Sequence, residues 1–253
     1  MASQTFYTAL SPAELNARAL DEFIYERVSD DMISYLAQAA RDVIRCDESM
    51  MPPSPTTAAS PAPASYQPYN NSSRLPITPP RSPPPVASGD KFLPSLEEFI
   101  YNLVWSSNVQ VPTLMSTLVY LNRLKSRLQP EAKGLRCTAH RIFLAALILT
   151  AKYVNDSSPK NKHWARYTEI WDDANGPRRD YKGRERPADF QFSRTEVNLM
   201  EKQLLMLLEW ELRITREDLY RELDLFLEPI RQRVSAQHER ELRRMEAKAL
   251  RAE

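Results

Sequence analysis

Eight apolar residues stand without a break from Ile142 to Leu149, and Ala151, Tyr153 and Val154 prolong the run past Thr150. A helix that is apolar all round has no water-facing side and must be enclosed by other helices. A buried parallel strand is the competing reading, but the run is long for a strand, and Ala145, Ala146 and Ala151 favour helix. It is also shorter than the roughly 20 apolar residues of a membrane span. Lys152 follows directly on the most buried turn. It is either a lysine that snorkels to solvent or a binding contact.

Amphipathic helices surround this segment. Ser11-Pro12-Ala13-Glu14 is a helix start with a serine cap, proline at the first position and glutamate three residues on. A second start at Ser29 or Asp30 leads into Met32, Ile33, Leu36, Ala40, Val43 and Ile44, ending near Cys46. Its apolar face packs on the core or meets a partner. Pro94-Ser95-Leu96-Glu97-Glu98 reads as a capping box before Leu96, Phe99, Ile100, Leu103 and Val104. Pro112 opens the next helix, with Leu114, Leu118, Leu121 and Leu128 in register, closed before Pro130 and Gly134. After the buried helix comes a short one, Asn161 to Trp171, carrying Trp164, Tyr167 and Trp171. Ser193-Arg194-Thr195-Glu196 is again a capping box, ahead of Val197, Met200, Leu204, Leu207 and Leu208. Thr215-Arg216-Glu217-Asp218 opens a further helix, the sixth counted from the one after Pro94, through Leu219, Leu223, Phe226 and Leu227, which Pro229 kinks or ends. The tail from Arg231 is charged, helical and weakly anchored. No strand pattern is seen, so the fold class is all-α.

Between the second and third of these helices the composition changes. Twelve of the twenty prolines fall in residues 51–90, with one acid and two arginines. Such a stretch buries too little apolar surface to offset its chain entropy and is expected to be a disordered linker. Its Ser-Pro and Thr-Pro dipeptides make Ser54, Ser60, Thr78 and Ser82 candidate phosphorylation sites for a proline-directed kinase, although four such dipeptides are unsurprising in so proline-rich a segment. Residues 172–190 form a second loop. Its Arg178, Arg179, Lys182, Arg184 and Arg186 suit nuclear import or an acidic partner, but they alternate with Asp180, Glu185 and Asp189 as in a solvated loop.

Composition then excludes whole classes of chemistry. A net charge of +1 gives no electrostatic footprint for nucleic acid or an anionic membrane. Cys46 and Cys137 are too few for a disulfide framework, and His140, His163 and His238 have no ligand spacing. Gly89, Gly134, Gly176 and Gly183 are isolated, so no glycine-rich phosphate loop is present. Asp30-Asp31 and Asp172-Asp173 lack a third acid at helical spacing. The N-terminus, MASQTFYTAL, has neither the basic flank nor the long apolar core of a secretory signal. The expectation is a soluble intracellular protein with no catalytic residues, cofactor or metal.

Several linked motifs carry a family resemblance. LAALILTAKYVND resembles the third-helix motif of cyclins, with Lys152 and Tyr153 at the matching places. NLMEKQLLMLLEWEL resembles their fifth-helix motif, matched by Glu201 and Trp210. HRIFLAALILTAKY followed by Asn155, Asp156, Ser158, Asn161, Lys162 and Trp164 is similar to the signature of the fungal PCL cyclins, partners of the phosphate-responsive cyclin-dependent kinase. The resemblance covers about residues 30–46 and 92–228. It implies a single cyclin box of five helices around the buried central helix, with an N-terminal helix and extra C-terminal helices. Residues 1–50 are then an N-terminal helical segment, 51–90 the linker, 91–214 the box and 215–253 a C-terminal helical extension. The stretch after Trp210 is too short for a second five-helix repeat.

The resemblance further implies a regulatory subunit, without chemistry of its own, that binds and activates a cyclin-dependent kinase and contributes to substrate choice. The setting would be cell-cycle or morphogenesis control, in nucleus and cytoplasm. Lys152, Glu201 and Tyr153 would contact the kinase, and preference for its active conformation would shift the population. Where cell-cycle cyclins carry a Met-Arg-Ala-Ile-Leu patch that docks Arg-x-Leu peptides, this chain has Leu96-Glu97-Glu98-Phe99-Ile100, with Glu97 in place of the basic residue, and Asn122 stands where their pairing aspartate would be. The alternative readings are a cyclin-fold adaptor in transcription without kinase binding, which calls for a basic face, and an all-α enzyme of the terpene-synthase kind, which calls for an Asp-rich metal motif.

Overall fold

A computed structural model describes residues 10–46, 92–129, 131–173, 178–179 and 185–251. The proline-rich segment, with Ser54, Ser60, Thr78 and Ser82, lies outside the described residues.

Helices begin where side chains can satisfy the free N–H groups of a first turn. For α1 (Pro12–Phe23), Ser11 accepts from the Glu14 N–H and the Glu14 carboxylate bonds back to the Ser11 N–H at 2.9 Å. Ser29 caps α2 (Asp30–Val43), whose first turn carries Asp30 and Asp31 where acids offset the helix dipole. For α3 (Leu96–Ser107) only half of the expected box forms. Ser95 accepts from the Glu98 N–H at 3.1 Å, but the Glu98 side chain does not return the bond.

The buried helix is α5 (Thr138–Val154), in which every residue from Phe143 to Ala151 is buried. Thr150 survives there because its hydroxyl donates to the Ala146 carbonyl at 2.8 Å. A second helix, α4 (Val111–Arg127), is nearly as enclosed, with Thr113 through Leu121 all buried. The core therefore holds two enclosed helices rather than one. α4 packs on α5 and α2, and α5 packs in turn on α7 (Arg194–Leu207). Between them α6 (Asn161–Tyr167) bridges α3 and α7; it ends short of Trp171, which lies outside the helix and donates its indole N–H to the Arg186 carbonyl.

Three expectations need correction. Two parallel two-residue strands do exist, β1 (Arg45–Cys46) and β2 (Lys133–Gly134), tying the end of α2 to the α4–α5 connection. Strands so short leave no alternation to read. A Cβ at Gly134 would stand 2.7 Å from the Thr138 side chain, so the crossing needs glycine. The helix opened by Thr215 is not one helix that Pro229 kinks or ends: its break comes before the proline. It stops as α8 (Arg216–Glu222), the backbone breaks at Leu223, and α9 (Asp224–Leu250) then runs through Pro229. Nor is the tail after Arg231 weakly anchored throughout. α1 packs on α9, where Ile230 and Val234 are buried, Phe23 and Phe226 meet at 5.9 Å, and Arg233 pairs with Glu22 at 2.8 Å. One hydrophobic cluster runs from Ala19 to Val234 and includes Leu36, Ala37 and Ala40, so the apolar face of α2 is core.

Candidate functional site

The buried stripe of α5 ends abruptly. Ala151 is enclosed, whereas Lys152, Tyr153, Val154, Asn155 and Asp156 are exposed. Lys152 sits in the last turn, where a cation offsets the helix dipole. Its Nζ lies 2.5 Å from Oε1 of Glu201 on α7 and 2.9 Å from Oδ1 of Asn161, the first residue of α6. Asn161 donates to the other oxygen of Glu201 at 2.6 Å and to Oδ1 of Asn198 at 2.8 Å. Four side chains from three helices thus form one network. The Lys152 side chain is 36% exposed and that of Glu201 only 15%. Glu201 is therefore largely covered in the free chain, by its own neighbours rather than by a partner.

Around this network the surface is mixed. Tyr153 and Val154 leave apolar area open on one side, with 46% and 43% exposure. A shallow cleft on the other side is lined by Asn155, Lys160, Lys162, Arg194 and Asn198. Beneath, Tyr120 donates to the Leu212 carbonyl at 2.8 Å; burial pushes its phenol above the ordinary range, and nearby Tyr153 adds to that. At the far end of α5, Arg141 pairs with Glu196 of α7 at 2.7 Å. Burial works against the Glu196 charge, but the Ser193 N–H and the Arg141 guanidinium outweigh it and hold the carboxyl below its ordinary range. Two ion pairs, one at each end, fix α7 against α5.

Lys152 and Glu201, 49 positions apart, are thus brought together, with Tyr153 exposed at their edge. Asn161 and Asn198 belong to the same network and were not singled out as site residues from sequence. Asn198 lies three positions before Glu201, on the same face of a helix, which is the signal that finds it. The docking stretch on α3 differs from an open patch. Leu96, Phe99 and Ile100 are buried, Glu97 pairs with Arg41 of α2 at 2.7 Å, and Asn122 bonds instead to Glu222 of α8. Among the described residues no three His, Cys, Asp or Glu side chains are grouped to hold a metal ion. No helix among them is long and apolar enough to cross a membrane.

Comparison with known proteins bears on this geometry. The sequence model of the family described as "Cyclin, N-terminal domain" matches residues 86–213, just over half of the 253-residue chain. PHO85 cyclin-1 of Saccharomyces cerevisiae is 49% identical over 152 residues, which is 59% of this chain and 47% of that protein. PHO85 cyclin-9 of the same organism is 46% identical over 149 residues, and PHO85 cyclin-2 is 41% identical over 150; each match covers 59% of this chain and 42% of the relative. The chain therefore matches less than half the length of these curated relatives. No solved structure matches it. The helices around the buried α5, the motif residues Lys152 in the last turn of α5 and Glu201 on α7, and the match over residues 86–213 agree: the chain belongs to the cyclin family.

Proposed function

We propose that this cyclin is a regulatory subunit that binds and activates a cyclin-dependent kinase, without catalytic residues of its own. The observation that carries the reading is the Lys152–Glu201 pair at the rim of α5 and α7, with Tyr153 and Val154 exposed beside it. A charged pair with open apolar surface on one side and a polar cleft on the other suits a partner that supplies both hydrophobic area and hydrogen bonds. The similar proteins are by name cyclins of PHO85, which supports a kinase of that type and does not favour a transcription adaptor. Binding that is stronger to the active kinase conformation shifts its population towards activity. The chain also contributes to substrate choice, in cell-cycle or morphogenesis control, in nucleus and cytoplasm. Residues 91–214 form the binding unit, flanked by helical segments at 1–50 and 215–253, with 51–90 as linker. Ser54, Ser60, Thr78 and Ser82 are proposed phosphate acceptors in that linker.

Mixing the purified chain with a cyclin-dependent kinase of the PHO85-cyclin-partner type tests the proposal. A stable complex with raised peptide-phosphorylation activity is expected. Absence of both complex and activation across such kinases would refute it. Cell fractionation checks the two compartments, and mass spectrometry of the isolated protein checks the four linker sites.

A further inference from the structure

Two Ser-Pro dipeptides fall among the described residues, and their hydroxyls differ in what they do. Ser11 is occupied by a helix start: its Oγ accepts from the Glu14 N–H and donates to the Glu14 carboxylate. Ser158, before Pro159, has no hydrogen-bond partner among the described residues, and it lines the cleft beside the Lys152–Glu201 network. It is partly exposed, in the stretch 155–160 between α5 and α6 that holds neither helix nor strand. Pro159 fixes its own φ and biases Ser158 towards extended backbone. A protein kinase grips its acceptor in that extended form.

The cleft is charged to receive what phosphorylation adds. Its volume is about 490 Å³, which makes it roughly 8 Å across by the cube root, within the Debye length of about 10 Å at 0.1 M salt. Lys160, Lys162 and Arg194 line it and enter no ion pair among the described residues. Asp156 is the one acid of its lining among the described residues. Lys152 also lines it, with its charge already balanced by Glu201. Three free cations against one acid leave an excess of two positive charges. A phosphoserine carries about −1.5 to −2 at pH 7 on three acceptor oxygens, which matches that excess.

We propose that Ser158 is a phosphorylation site whose phosphate is held by Lys160, Lys162 and Arg194, and that the phosphate weakens binding of the cyclin-dependent kinase. A proline-directed kinase brings ATP as the donor. Ser158 Oγ attacks the γ-phosphorus, the new O–P bond forms as the bond to ADP breaks, and the hydroxyl proton passes to the carboxylate base of that enzyme. The three cations then donate to the phosphate oxygens. The phosphate also faces Lys152 with nearly two negative charges where Glu201 offers one. Lys152 is thereby drawn from Glu201 into the cleft, and the pair that the kinase meets is taken apart. The reaction falls on the free chain, because a kinase seated on Lys152 and Tyr153 would cover the stretch that follows them. The effect on the kinase rests on the proposed function, whereas the acceptor and its cradle do not.

The test uses the full chain, unmodified and with phosphoserine incorporated at position 158. In a phosphorus-31 titration the phosphate should ionise below its ordinary second pKa of about 6, because the cations favour the dianion. Lys162→Ala and Arg194→Ala should each move the titration back towards that value, and both positions are exposed, so melting temperature should hold. An ordinary titration that neither substitution moves would overturn the cradle. Mass spectrometry should find phosphate on Ser158 in protein isolated from its native cells, or after a mitogen-activated protein kinase with magnesium and ATP; a bare Ser158 in both would overturn the acceptor. By calorimetry the phosphorylated chain should bind the cyclin-dependent kinase about tenfold more weakly, with Ser158→Ala matching the unmodified chain. Equal or tighter binding of the phosphorylated chain would overturn the effect on the kinase. If no form binds such a kinase, the kinase reading fails alone, and the titration and mass spectra still decide the site.

Discussion

Lys152 Nζ and Glu201 Oε1 stand 2.5 Å apart, so the two motif residues of α5 and α7 are each other's partners in the free chain. In the sequence Lys152 reads as a snorkelling lysine or a binding contact, and nothing there pairs it with Glu201. The structure shows instead a pair that is preorganised, with Asn161 bonded to both. Preorganisation lowers the entropy lost on binding, because the rotamers are already held.

The pair should be visible in stability. Lys152→Ala and Glu201→Ala should each cost the free chain about 0.5–1 kcal/mol, the upper range for a partly exposed pair. The double variant should cost clearly less than the sum of the two, because both remove one interaction. Thermal unfolding of all three against the unsubstituted chain measures the coupling. Strict additivity would show that the pair does not persist in solution.

His140 predicts a pH dependence. It is buried against Phe99 and Phe190, and its Nε2 lies 3.0 Å from the Pro94 carbonyl, which fixes the proton on Nε2. Nδ1 has no partner. Burial lowers its pKa; the Pro94 bond and nearby Glu97 oppose that without cancelling it. A depressed folded value means the unfolded chain takes up this proton first. Stability should therefore be level above about pH 6.5 and fall below it by at most about 1.4 kcal/mol per pH unit from this group. Carboxylates held low, such as Glu97 and Glu196, lose their contribution only at more acid pH, below the ordinary glutamate value of 4.5. Urea unfolding from pH 7.5 to 5 checks the slope, and His140→Gln should flatten it.

Arg-x-Leu peptides should not compete for substrates of a complex containing this chain. The side chains at the matching places, Leu96, Phe99 and Ile100, are inside the core, and Arg41 holds Glu97. A competition assay should show no inhibition at micromolar peptide. Potent competition would mean that another face serves that motif.

Much of the fold could be read from single residues. Ser11 and Ser193 announce their helices because serine and a glutamate three residues on satisfy two N–H groups locally. α5 is legible because nothing polar interrupts it. α4 hides its burial because Thr113, Ser116 and Thr117 look like a solvent face, yet Thr117 bonds to the Thr113 carbonyl inside the core and Thr113 bonds to Asn155 at the core's edge. Pro229 misleads in the other direction. It removes one helix bond, to the carbonyl of Leu225, on a side where Leu225 is exposed, and α9 continues through it. Of the candidate site, the identities of Lys152, Glu201 and Tyr153 came from a motif. Their mutual geometry did not, because it depends on how α5, α6 and α7 pack.

The central claim is that the Lys152–Glu201 surface meets the kinase. The most direct measurement is the dissociation constant of the kinase complex for the unsubstituted chain, Lys152→Ala and Glu201→Ala, by calorimetry at one salt concentration. If the surface meets the kinase as proposed, both charges are shielded and hydrogen-bonded in the complex, and truncating one partner of such a group costs about 2–5 kcal/mol. A loss of roughly thirtyfold or more is expected for each variant, since about 1.4 kcal/mol is tenfold. The stability cost alone leaves nearly all of the chain folded and so leaves the affinity nearly unchanged. Unchanged affinity in both variants, alongside the lowered melting temperature, would show a pair that only braces α7 against α5 and would contradict the account.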